Sequence, residues 1–311
     1  MQGTSPYLPI SQYYKKIFGE KVYKIPVAVV DDCPNRKGLK GMKTCIFCDP
    51  WGSAANKEML TQDLKDQIEN SSVRLGRKYN AKSFLVYFQA YTNTFTKLTQ
   101  MRANFEVATS YPFVKGLVIG TRPDCLSPAL FDFWNEYSEK TFVSVELGIQ
   151  TFNDKILHFM RRGHTRTQSL NAIEKIQKNT KVDLGLHFIF GNPGETDEDI
   201  IESAQICNDL GIQNVKLHNL HVLKGTGLEE LYYQGRFEPV GFEEYARKVA
   251  LFLSHLSPNI YVHRLAALSS RPDELIAPSW VALKMSTYQK LLNFLNESGV
   301  KQGSKARYSA F

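Results

Sequence analysis

From residue 25 onward, short apolar runs rich in β-branched residues alternate with longer stretches in which apolar residues recur every three or four positions. The first pattern is that of strands buried on both faces, the second that of helices with one buried stripe. Runs at 25–30, 83–88, 116–120, 142–147, 182–190 and 213–217 qualify as strands. Helices are expected at 57–76, 95–108, 127–137, 153–162, 167–179 and 196–210. The last of these opens on Thr196-Asp197-Glu198-Asp199, a hydroxyl followed by acids where a helix presents free amide groups. Strands separated by helices can pair in parallel, because each crossover returns the chain to the same end of the sheet. The expected fold class is therefore α/β, a partial (β/α)6 TIM-type barrel with N-terminal and C-terminal extensions. A doubly wound sheet is the alternative that pattern alone allows.

Residues 1–24 carry Tyr7, Tyr13, Tyr14 and Phe18, aromatic surface suited to packing across a barrel core expected at 25–220. The segment 221–311 reads as helices at 241–256 and 278–295 around a short strand at 260–263, with 303–311 as a loose tail. There is no internal repeat, low-complexity tract or long linker, so one domain with extensions is expected. In such barrels chemistry gathers where strands end, and the polar residues after each strand are the candidates.

At 43% hydrophobic and 22% charged residues over 311 positions, the composition is that of an ordinary globular chain. No window approaches the roughly 18 apolar residues of a membrane span, and the first residues lack a basic region followed by an apolar one. A soluble, unprocessed, cytoplasmic protein without a membrane partner is expected. The 38 Lys and Arg against 31 Asp and Glu give +7, compatible with an anionic partner such as RNA. The positives are dispersed, as on a solvated surface, so charge by itself names no partner.

Five cysteines, odd in number and without an export signal, do not make a disulfide framework. Cys33, Cys45 and Cys48 follow the first strand in a loop with C-x11-C-x2-C spacing. Two cysteines two residues apart can aim at one metal centre while the third reaches back across the loop, and thiolates suit an iron–sulfur cluster or zinc. A structural zinc site wants four ligands, and the loop has no histidine. Three thiolates on a cubane cluster leave one iron open to a substrate. Cys125 and Cys207 remain available as a fourth ligand, although each reads first as a small buried thiol.

Cys33-Pro34-Asn35-Arg36-Lys37-Gly38 followed by Cys45-Ile46-Phe47-Cys48 resembles the motif of the radical S-adenosylmethionine (SAM) superfamily, in the bacterial branch related to the catalytic subunit of Elongator. Further blocks, Thr121-Arg122-Pro123-Asp124, Glu146-Leu147-Gly148-Ile149-Gln150 and Arg162-Gly163-His164, resemble the same branch, and the similarity spans most of 10–285. It implies a [4Fe-4S] cluster on Cys33, Cys45 and Cys48 that binds and cleaves SAM to a 5′-deoxyadenosyl radical. By the resemblance Phe47 packs beside the SAM adenine, and Thr92 and Asn93 stand where many relatives have Gly-Gly-Glu for the SAM amino group. That departure removes a carboxylate. Glu146 and Gln150 should face the barrel mouth, Glu146 reaching SAM or its ribose and Arg162 a carboxylate. The block from His187 through Ile189 and Gly191 to Glu195 is similar to a glycine-rich adenine motif, with Asn192 departing from its usual apolar residue. His218 is expected to line the adenine side or substrate mouth. His218 and His221 are three apart, a spacing that on a strand end points them to different faces and argues against a metal pair.

The implied partners are an electron donor such as flavodoxin or ferredoxin and, through the Elongator relationship, a tRNA modified at a wobble uridine. The chain has no room for an acetyltransferase domain, so a different step on the uridine side chain is implied. Competing readings are modification of a small metabolite or partner protein, or a non-catalytic iron–sulfur or zinc protein used in redox sensing. Residues beyond the cofactor sites that act on the substrate are not named by the sequence.

Overall fold

A computed structural model describes residues 5–307 apart from 53, 55, 56 and 270. In chain order it runs through helix α1 (Ile10–Phe18), strand β1 (Val22–Val27), α2 (Leu64–Tyr79), β2 (Ser83–Phe88), α3 (Leu98–Thr109), β3 (Val114–Thr121), α4 (Pro128–Ser138) and β4 (Phe142–Gln150). It continues with α5 (Asp154–Phe159), α6 (Arg166–Asn179), β5 (Asp183–Phe190), α7 (Asp197–Asp209), β6 (Asn214–Asn219), β7 (Val222–Leu223), α8 (Gly227–Tyr233), α9 (Phe242–His255), β8 (Tyr261–Val262), β9 (Leu275–Ala277) and α10 (Lys284–Glu297).

Seven strands form one parallel sheet in the order β1-β2-β3-β4-β5-β6-β8, while β7 and β9 pair antiparallel as a separate ribbon. The sheet curls without pairing its two edges, which makes it a half-barrel flanked by helices. The strand expected at 260–263 thus belongs to the main sheet, as β8. Its edge is covered by the N-terminal segment, where Val262 N donates to Leu8 O at 2.8 Å.

Alternation along the strands divides the sheet into two faces. Outward-pointing Val86, Phe88, Leu117, Ile119, Val145, Leu147 and Phe188 join Phe105, Trp134, Tyr137 and Phe252 of the helices in one large core. Each such side chain contributes about 1.5–3 kcal/mol by burial, and this layer carries most of the fold's stability. The inward face is polar: Lys24, Tyr87, Glu146, His187 and Lys216 meet in the barrel interior. α1 underlies that interior, with Tyr14 packed on Leu85, Tyr87 and Val118, and the Tyr13 hydroxyl donates to the Asp183 carboxylate at 2.6 Å. The expectation that the N-terminal aromatics pack across the barrel therefore holds for Tyr13, Tyr14 and Phe18.

Several expected boundaries move. The first strand begins at Val22 and ends at Val27, so Lys24 lies on it and 28–30 enter the cysteine loop. The helix expected at 57–76 is a short 3-10 turn, Lys57–Leu60, followed by α2, because Asp63 caps a new start by accepting from Asp66 N at 2.8 Å. The helix expected at 278–295 begins only at Lys284, after a 3-10 turn at Ser279–Val281. The loose tail is corrected for its first part: Gly303 N donates to Leu253 O and Lys305 N to Ser254 O, pinning 303–307 to α9, while 308–311 lie outside the described residues.

Candidate active site

The carboxyl ends of the strands open into a cavity of about 240 Å³. The loop after β1 brings Cys33, Cys45, Phe47 and Cys48 to its wall. Asn35 fixes that loop: its amide donates to Lys43 O at 2.8 Å and to Arg161 O at 2.6 Å. Ile46 N donates to Met160 O at 3.1 Å, and Leu228 N donates to Ile46 O at 2.9 Å, so the loop is tied to the segments after β4 and β7.

All five cysteines are free thiols. Cys33 and Cys45 are buried at 9% and 5% exposure. Guanidinium groups face the sulfurs: Arg36 Nη2 lies 3.4 Å from Cys48 Sγ, Arg162 Nη1 3.4 Å from Cys45 Sγ and Arg122 Nη1 3.9 Å from the same sulfur. Burial pushes the Cys48 thiol up to about 12, with further upward pressure from Cys45 and a downward pull from Arg36. Among the described residues no three His, Cys, Asp or Glu side chains converge as ligands of one ion would, at about 2.3 Å from a shared centre for zinc. Thiols spread along one wall, with guanidinium groups against Cys45 and Cys48, suit an anionic multi-metal cluster with one thiolate per metal better than a single ion. The buried Nε atoms of Arg36 and Arg162 have no hydrogen-bond partner among the described residues. Cys125 and Cys207 are not among the residues lining this cavity.

The strands supply the rest of the wall. Thr92, Glu146, Gln150, Arg162, His187, Ile189 and His218 all line it, Arg162 from the turn between α5 and α6 and the others from on or just after the strands. Gln150 reaches in because β4 breaks register against β5 between Leu147 and Gln150 and the residue takes a left-handed φ of 73°. Such strain in a non-glycine residue is held only where surroundings over-determine it. Gly148 makes room for this arrangement, since a Cβ there would meet Gln150 Nε2 at 2.7 Å and Arg162 Nη2 at 3.3 Å. Arg162 donates from Nη2 to Gly148 O at 2.8 Å, and its guanidinium lies 5.9 Å from the Phe47 ring centre.

Two expected residues do not line the cavity. Asn93 is buried, and its amide donates to Phe88 O, Ala90 O and Gly120 O, clamping the ends of β2 and β3. Gly191, at φ 88°, packs against Val240, which an added Cβ would strike. His221 does reach the same cavity as His218, because β6 ends at Asn219 and the chain turns between them.

The cavity floor is an ion-pair network that single motifs did not disclose. The fully buried Glu146 carboxylate accepts from Lys24, from Lys216 at 3.0 Å and from His187 at 2.5 Å, with His263 at 3.7 Å. Burial opposes its charge, but Lys216 and Lys24 lead the cations that hold it well below the usual carboxylate range. Burial brings Lys216 down to about 7 and His187 down to about 4. Lys216 also donates to the Tyr87 hydroxyl at 3.2 Å. Tyr87 and Arg264 are further wall residues that the sequence did not single out, while Arg122, from the block Thr121 to Asp124, lines the wall with Tyr91 and Lys216. The signal available was alternation: Lys216 and His218 are two apart on β6, hence on one face.

A half-barrel with thiols and cations gathered where its strands end places the candidate chemistry at the carboxyl face. The radical SAM superfamily model matches residues 29–230, and a radical SAM C-terminal domain model matches 212–297. The chain belongs to the radical SAM superfamily and is an enzyme of that class. It is 34% identical to protein YhcC of Escherichia coli strain K12 over 293 residues, covering 92% of this chain and 91% of that protein. A shorter stretch of 131 residues is 30% identical to the tRNA uridine(34) acetyltransferase of Methanocaldococcus jannaschii, covering 41% of this chain and 24% of that one. The fold is similar to archaeal Elp3 from Methanocaldococcus infernus, with a TM-score of 0.66 at 17% identity, covering 90% of this chain and 64% of that chain. No helix among the described residues is long and apolar enough to cross a membrane.

Proposed function

We propose that Cys33, Cys45 and Cys48 hold a [4Fe-4S] cluster, that SAM binds in the cavity beside it, and that the enzyme modifies a tRNA wobble uridine. The observation that carries the first part is the set of three thiols on one cavity wall with the guanidinium groups of Arg36, Arg122 and Arg162 around them. When bound, the cluster and SAM supply a 5′-deoxyadenosyl radical able to abstract hydrogen from an unactivated carbon. The chain's own residues bind, orient and exclude water. Arg36, Arg122 and Arg162 offset the negative charge of metal-bound thiolates, which would otherwise be costly in so buried a place. Phe47 offers an aromatic face to the adenine, and Thr92 and Gln150 offer hydrogen bonds where no carboxylate is available. Glu146, occupied by lysines and histidines, sets the charge of the floor instead of reaching the cofactor directly.

The tRNA reading is supported by the 131-residue similarity to a tRNA uridine(34) acetyltransferase together with the +7 charge of the chain. The similarity covers 24% of that protein, and the step proposed here is a modification of the uridine side chain distinct from acetyl transfer. A flavodoxin or ferredoxin is the electron donor in this proposal. The test is to compare wobble nucleosides by mass spectrometry in tRNA from cells with and without the gene. Treatment of the deletion tRNA with reconstituted enzyme, SAM and reductant then follows. Loss of one modified uridine and its restoration in vitro is the expected result; identical nucleoside profiles would sink the tRNA assignment.

A further inference from the structure

Among the described residues, the cations that line the cavity each have a carboxylate or a thiol within contact distance except Arg264. Arg122 pairs with Asp124 at 2.8 Å, Lys216 with Glu146, and Arg162 faces the Cys45 sulfur. Arg264, immediately beyond β8, has no carboxylate in ion-pair contact among the described residues. Its Nη2 donates to the His218 ring at 2.7 Å, and its Nε is shielded from solvent without a hydrogen-bond partner among the described residues. Burial lowers the pKa of both groups, leaving His218 a neutral acceptor beside a guanidinium that burial disfavours. The backbone there is fixed, since Arg264 O accepts from Leu217 N at 3.1 Å and Leu265 O accepts from the Tyr245 hydroxyl at 2.6 Å. A guanidinium held rigidly in a cavity wall beside a neutral imidazole, short of hydrogen-bond acceptors, is a site prepared for an external anion.

The floor adds to this. Lys24 and Lys216 contact the Glu146 carboxylate and Arg264 feels its charge without touching it, while burial shifts His187, His218 and His263 toward their neutral forms. The excess is positive, and it lies on β1, on β6 and just after β8. Arg36, Arg122 and Arg162 are a separate group against the thiols, so Arg264 is not needed to offset a cluster there.

We propose that Arg264 anchors an oxyanion of the substrate, a carboxylate or a phosphate, against His218 on the β6–β8 side of the cavity. The planar fork of the guanidinium matches either group through two parallel hydrogen bonds, which would fix the orientation of the substrate as well as hold it. This rests on the cavity being the substrate site of a radical SAM enzyme, but its test does not depend on turnover or on tRNA.

The experiment is a thermal unfolding titration of the reconstituted full chain with sodium acetate and with sodium phosphate, each against sodium chloride at equal ionic strength. Wild type, Arg264→Gln and Arg264→Lys are compared, with and without SAM. One oxyanion should raise the wild-type Tm by roughly 2 °C or more at saturation; acetate or phosphate identifies the group. Arg264→Gln should lose the rise and Arg264→Lys keep part of it, while SAM leaves the wild-type rise in place. The proposal is overturned if neither anion exceeds chloride on wild type, or if Arg264→Gln responds as wild type does. Loss of the rise on adding SAM would also overturn it, by giving Arg264 to the SAM carboxylate. Failure of the radical reading would appear elsewhere, as wild-type enzyme that makes no 5′-deoxyadenosine.

Discussion

Glu146 concentrates the electrostatics of the site in one carboxylate: fully buried, it stands against Lys24, Lys216, His187 and His263. A buried pair contributes little net stability, but removing one partner leaves the other charges uncompensated. Glu146→Gln should therefore cost about 3–5 kcal/mol in urea unfolding. An unchanged midpoint would contradict the network. The candidate residues were unevenly legible in the sequence. The cysteines were marked by spacing, and Phe47, Glu146, Gln150 and Arg162 by their resemblance to known motifs. Arg264 carried no such mark, because what distinguishes it is the lack of an acidic neighbour in space, and sequence does not list spatial neighbours. Asn93 was placed near the cofactor by the resemblance, yet its amide nitrogen donates to three carbonyls of the sheet end.

Helix and strand identities followed hydrophobic period well, because most strands are buried on both faces and most helices bury a single stripe. Boundaries followed less well where a cap or turn decided them, as at Asp63. The expected cap at Thr196 is a full capping box, with Asp199 N donating to the Thr196 hydroxyl and Thr196 N donating to the Asp199 carboxylate. The loop before it illustrates a glycine used for packing. Gly191 at φ 88° lies against Val240, so Gly191→Ala should destabilise by about 1–3 kcal/mol through strain and collision. Adding Val240→Ala should recover the collision part only. A Gly191→Ala protein that unfolds as wild type but binds SAM more weakly would instead make this residue a ligand contact.

The whole molecule is a half-barrel whose open interior is completed by its ends. Gln302 accepts from Leu8 N at 2.8 Å and donates to Ser257 O and Ile260 O, joining both terminal segments at the β8 edge. Such long-range closure has no periodic signature, which is why the terminal segments read as extensions and a tail. The interior also fixes how the molecule responds to acid. Burial holds His187 down at about 4 and His164 down at about 3, both from 6.5, so these groups stay neutral in the fold while the unfolded chain takes up protons. Their contribution is complete above pH 6.5 and is lost as pH falls toward 4 and 3; Glu146, held below 4.5, loses its share in the same direction at lower pH. Tm should fall steadily from about pH 6.5 to 4, and a flat profile would mean these histidines are solvated.

The central claim is that this chain cleaves SAM through a cluster on Cys33, Cys45 and Cys48. The most direct measurement is anaerobic reconstitution with iron and sulfide, reduction in the presence of SAM, and chromatography of 5′-deoxyadenosine, beside a Cys45→Ala control. The account predicts deoxyadenosine from the wild type and none from the control. A reconstituted wild type that binds no cluster, or binds one and makes no deoxyadenosine with any of several reductants, would contradict it.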